Sequence, residues 1–145
     1  MTAKEYLQNC RKLKIQMENK KKTYDSIRES ITYLQGIAYD RDKVQTSPTD
    51  ALSNTMVRLV DAEREAMDAI WEYESVYSEC MKRINSLSKY EYIRILMLRY
   101  FSDDYESRKF ESIALDIAYS YVRTCHLHGE ALKEFEEKFL KNERS

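Results

Sequence analysis

At 145 residues, with two glycines, one proline and 34% of its positions charged, the chain has the composition of an all-α domain, alone or with an extended arm, and is too short for a large multi-domain enzyme. Its 24 lysines and arginines against 25 acids, a net charge of −1, exclude a molecule-wide field that would draw in a polyanion, so any nucleic-acid contact has to be local. No apolar run reaches signal-peptide or membrane-spanning length, so a cytoplasmic protein with no membrane partner is expected, and three dispersed cysteines (Cys10, Cys80, Cys125) outline no disulfide framework.

Between Ala3 and Ala38 the apolar residues step by three and four: Ala3, Tyr6, Cys10, Leu13, Met17, Tyr24, Ile27, Ile31, Leu34 and Ala38, interrupted only at Lys20. Such alternation keeps one narrow seam against a neighbouring helix. The lysine run "NKKKTY" from Asn19 to Tyr24 reads as a solvated face. The segment "DRDKVQTSPTD" breaks the pattern, and Ser47 followed by Pro48 is a helix start, serine as cap and proline at the first helical position. A second seam follows at Leu52, Met56, Leu59, Glu63, Ala66, Ile70, Tyr73, Tyr77, Cys80, Ile84 and Leu87. Lys20 and Glu63 are expected as polar insertions that set register. Val57, Val60, Met67, Trp71 and Met81 widen the apolar face of this second helix; the surplus could meet the C-terminal helices or a second chain.

Folded about a turn near residues 40–48, the two helices form an antiparallel hairpin, a coiled-coil arm over residues 1–88. Ala38 then pairs with Leu52, Ile31 with Leu59, Tyr24 with Ala66, and Cys10 with Cys80.

Residues 89–145 form a second unit. "YEYIRILMLRYF" from Tyr90 is a strongly apolar helix that turns Ile93, Leu96, Met97 and Tyr100 to one face, and the polar "SDDYESR" ends it. Phe110, Ile113, Ala114 and Ile117 make one face of a two-turn helix that stops at Ala118 and Tyr119, and Ser120 caps the next helix. Glycine is absent at this bend, so Ala118 must take a conformation that glycine adopts more cheaply, at a cost of about 1 kcal/mol. A helix-turn-helix requires a small residue where its helices cross and apolar residues on both sides of a short turn. Ala114 is the small residue; Ile113, Ile117 and Tyr119 frame the turn; Thr124, Leu127 and Ala131 point inward. Tyr121, Val122, Arg123, Cys125, His126 and Glu130 are left outward on the second helix, where a recognition helix meets the major groove.

The stretch "LRYF…FESIALDIAYSYVRTCHLHGEAL" resembles region 4 of bacterial sigma factors. With "MTAKEYLQNCRKL" at the start and "SPTDALSNTMVRLVDAE" in the middle, the resemblance extends over nearly the whole chain, to the sigma-region-4-like proteins of Gram-positive prophages related to the ArpU and RinA type of late transcriptional activators. It implies a phage-encoded regulator that binds promoter DNA, with RNA polymerase as a candidate partner; a second copy of the chain is a candidate partner on other grounds, the surplus apolar surface of the second helix and the affinity that a weakly charged helix-turn-helix gains from two half-sites. Ser120, Tyr121, Arg123, His126 and Lys133 are the residues expected against DNA, with His126 and His128 helping only when protonated. From Tyr90 onward there are nine basic and eleven acidic residues, so this unit should hold DNA weakly as a monomer. The alternative is a coiled-coil interaction protein that binds RNA polymerase or a phage protein without touching DNA. Cys125, His126 and His128 do not share one helix face and have no second ligand cluster to join. Neither catalysis nor a metal or cofactor is expected.

Overall fold

A computed structural model describes the backbone of residues 1–40 and 48–141, and side chains over 1–36 and 50–141. Among the described residues every regular element is helical. Helices α1 (Ala3–Asp40), α2 (Pro48–Asn85), α3 (Tyr90–Phe101), α4 (Phe110–Ile117) and α5 (Tyr121–Phe135) are joined by a 3₁₀ turn at Glu106–Arg108 and followed by a π turn at Glu136–Leu140. The expected turn near 40–48 and its Ser47 cap lie outside the described residues.

A reciprocal cap starts α1: the Glu5 amide donates to the Thr2 hydroxyl at 3.2 Å, and the Thr2 amide donates to the Glu5 carboxylate at 2.9 Å. This is the capping box that the T-x-x-E spacing of "TAKE" encodes. The long helices pack antiparallel. Arg83 of α2 lies 5.3 Å above the Tyr6 ring of α1, the Cys80 thiol is hydrogen-bonded to Cys10, and Lys20 meets Glu65 at 2.8 Å, so partners descend in α2 as they rise in α1.

The described residues pack as two compact units whose limits differ from the expected division at residue 88. One joins Met1–Lys12 to Ser75–Ser145; the other is Leu13–Glu74. In the first, Leu7, Cys10, Cys80, Ile84, Ile95, Leu96, Ile113 and Phe135 are sealed from water, each large apolar side chain contributing roughly 1.5–3 kcal/mol. Rings of Tyr6 and Phe135 stand 5.4 Å apart, and Phe135 meets Phe139 edge-on at 5.3 Å. These contacts explain why the first turns of α1 belong with the C-terminal helices.

In the Leu13–Glu74 unit Ile27, Ile31, Ala62 and Ala66 are buried. The expected seam of α2 is corrected here, since Ala62 is inside while Glu63 and Met56 are in water. Burying an unpaired carboxylate costs several kcal/mol, and a shift to the neighbouring row avoids that cost. Lys20 is likewise exposed, and its pair with Glu65 is a surface ion pair of small energetic consequence.

Candidate nucleic-acid interface

The geometry of the bend follows from its residues. Ala118 ends α4 in the left-handed region (φ 60°, ψ 38°), the only non-glycine residue with positive φ among those described, and the Tyr119 amide donates back to the Ala114 carbonyl at 3.1 Å. That six-to-one bond is the Schellman closure, satisfying carbonyls that the helix end would otherwise orphan. Ser120 opens α5 by accepting the Arg123 amide on its hydroxyl at 3.1 Å. Thr124 is fully buried, and both its amide and its hydroxyl donate to the Ser120 carbonyl, at 2.9 and 2.8 Å. A polar side chain is therefore tolerated at an inward position. Ile113, Ala114, Leu127 and Ala131 are buried as the motif requires. Tyr119 sits at the turn on its solvent side, exposed, its hydroxyl donating to Glu91 of α3 at 3.3 Å.

On the outer side Tyr121, Val122, Arg123, His126, Glu130 and Lys133 are all exposed, whereas Cys125 is half-buried. Tyr121 is hydrogen-bonded to Cys125, which lifts its hydroxyl above the usual range. Arg123 approaches Glu130 at 3.8 Å, and Glu130 also accepts the Tyr92 hydroxyl at 2.9 Å. The guanidinium is therefore loosely paired within its own helix. His128 cannot assist. Its ring is packed edge-on to Phe110 at 5.0 Å with Nε2 2.9 Å from the Tyr100 hydroxyl, and burial, then the charges of Arg99 and Lys4, push its pKa down to about 4. Of the two histidines, only His126 is left for a ligand. Lys133 stands almost three turns beyond Arg123, in the company of Glu136 and Glu137.

Beside the start of α4 lies a surface pocket of about 280 Å³ into which four cations converge: Arg11 from α1, Arg99 from α3, and Arg108 and Lys109 from the turn before α4. Arg11 is fixed by donating to the carbonyls of Tyr100 and Ser102 at 3.1 and 3.3 Å. Arg99 donates to the Arg108 carbonyl at 2.7 Å and covers the Phe110 ring at 4.3 Å. One terminal nitrogen of Arg108 is buried with no hydrogen-bond partner among the described residues. Lys109 pairs with Glu106 at 3.1 Å.

Sequence reasoning missed this pocket. Arg99, Arg108 and Lys109 were visible as cations flanking the "SDDYES" loop, but Arg11 lies almost ninety positions earlier and joins them only through the fold. Leu115, 84% exposed on α4, was missed as well; together with Tyr119 and Tyr121 it forms a small apolar ledge next to the outer face of α5.

Among the described residues no group of three His, Cys, Asp or Glu side chains could hold a metal ion, and no helix is long and apolar enough to cross a membrane. Compared with protein-family models, with curated proteins and with solved structures, the chain matches none.

Proposed function

We propose that the chain is a sequence-specific DNA-binding regulator of transcription, a cytoplasmic protein of prophage type that resembles region 4 of sigma factors, with promoter DNA, RNA polymerase and a second copy of itself as partners. One observation carries this reading: the compact unit that presents the exposed first turn of α5 after a helix-turn-helix bend also gathers four cations, Arg11, Arg99, Arg108 and Lys109, around one pocket. Phosphate contacts position a protein on the duplex and base contacts specify the sequence. In this reading Arg11, Arg99, Arg108 and Lys109 take up backbone phosphates, and the Ser120 and Tyr121 hydroxyls add donors at the start of α5. Arg123 leaves Glu130 for a guanine edge, where its planar fork makes two hydrogen bonds worth about 1–3 kcal/mol of discrimination. Val122 and Leu115 suit thymine methyl groups.

Selection on random duplexes at low salt tests the reading. One sequence class should be enriched, and Arg123→Ala should relax preference at one base while leaving the folded protein intact. Failure to enrich any sequence, or an Arg123→Ala protein with unchanged preference, would overturn it. The apolar ledge of Leu115, Tyr119 and Tyr121, together with Glu111, favours a second reading: an interaction module that docks RNA polymerase or another phage protein through the same face without DNA. A Leu115→Lys substitution should abolish that docking, while DNA affinity should hold or rise.

A further inference from the structure

Within the Leu13–Glu74 unit, α2 carries two apolar lines. The inner one, through Ala62 and Ala66, is buried. About a third of a turn away, at 100° per residue, Met56, Val60, Met67 and Trp71 stand in water, 48%, 57%, 48% and 68% exposed, with Val57 beside them. Single exposed apolar residues are ordinary, but a row rimmed by charges marks a docking face. These four step by four, seven and four positions along one face. Glu63 and Arg64, both exposed, fill the gap of seven.

The row is symmetric about the point between Glu63 and Arg64. Laid antiparallel on a second copy with a two-fold axis at that point, Met56 meets the partner's Trp71, Val60 meets the partner's Met67, and Glu63 meets the partner's Arg64, every pairing occurring twice. A parallel arrangement sets Glu63 on Glu63 and Arg64 on Arg64. An antiparallel register moved by one residue again sets Arg64 against its own copy. Only the first arrangement buries the apolar row and also matches the charges. Such self-complementarity is what a two-fold homodimer interface requires, and a different protein has no reason to mirror this spacing.

We propose that this face of α2 is the interface of an antiparallel two-fold homodimer, with the Met56–Trp71 and Val60–Met67 contacts as its apolar core and two Glu63–Arg64 pairs at its centre. The interface involves only the Leu13–Glu74 unit and stands whether or not the DNA reading holds, because it is measured without DNA.

Sedimentation equilibrium of the full chain tests it. A dimer is expected at a concentration of about 50 μM. Val60→Glu combined with Met67→Glu should give a monomer with an unchanged helical circular dichroism spectrum, since both side chains already face water in the single chain. Glu63→Arg and Arg64→Glu should each weaken dimerisation roughly tenfold, and the double exchange should restore it. If the variant with two added glutamates loses its fold, the charge series decides alone. A wild-type monomer at that concentration would overturn the proposal and assign the face to a heterologous partner. So would a dimer that survives the two glutamates in a folded protein, or single charge variants that weaken it with no recovery in the double exchange.

Discussion

Ala118 is the one described non-glycine residue held at positive φ, and the conformation is imposed by its neighbours: the Tyr119 amide has to reach the Ala114 carbonyl, and Ser120 has to begin a new helix three residues after Ile117. Ala118→Gly should therefore raise stability by about 0.5–1 kcal/mol in urea unfolding, whereas Ser120→Ala should lower it by about 1 kcal/mol through loss of the cap to Arg123. The strain was legible because no glycine is available at the bend. The environment of His128 was not, since its helical position is at the margin of the inward face and only the contacts with Tyr100 and Phe110 enclose it. With a folded pKa of about 4 against an ordinary 6.5, the unfolded chain binds more protons between those values. Stability is then complete above pH 6.5 and declines as pH falls towards 4, by on the order of 2–3 kcal/mol from this group. Urea midpoints from pH 7 to pH 4 should show that loss, and His128→Phe should flatten it; an unaltered slope in the variant would mean that other groups titrate there.

At the scale of elements, the alternation of three and four in the sequence identified both long helices and their antiparallel pairing, and the T-x-x-E cap marks where the first begins. Register within α2 was harder to read, because Ala62 and Glu63 both continue a heptad and periodicity alone does not price a buried carboxylate against a small methyl. The structure puts alanines in the contact and leaves Met56, Val60 and Met67 outside. Pairing of Cys10 with Cys80 was legible, and it has a chemical consequence. Both thiols are buried, and a hydrogen bond to Cys10 together with burial holds the Cys80 thiol well above its ordinary pKa, so the reactive thiolate is scarce. In a Cys125→Ser protein, mild oxidation should form a Cys10–Cys80 disulfide within one chain, slowly at neutral pH and faster as pH rises. Free-thiol titration and non-reducing gels follow it; crosslinks found only between chains would contradict the pairing.

For the molecule as a whole, a net charge of −1 argues against broad attraction to nucleic acid, and the surplus of acids from Tyr90 onward argues further against it. Both sums count charges without regard to where folding places them. Joining Met1–Lys12 to the C-terminal helices brings Arg11 to Arg99, Arg108 and Lys109, so a locally positive site exists on a chain with no positive excess. Salt dependence separates local from global charge. Each phosphate contact releases counterions, so log affinity falls with log salt at a slope of about −0.9 per contact on duplex DNA. If the pocket anchors phosphates as proposed, Lys109→Gln and Arg108→Gln should each weaken DNA binding evenly across sequences and reduce that slope by about one. Lys21→Gln, from the solvated lysine run of α1, removes the same formal charge and should leave the slope unchanged. Thermal melts identify any Arg108→Gln loss caused by a loosened turn, because Arg108 also stacks 5.5 Å above the Tyr105 ring. Equal slope changes in all three proteins would mean that bulk charge governs binding and would overturn the proposed role of the pocket as a phosphate anchor.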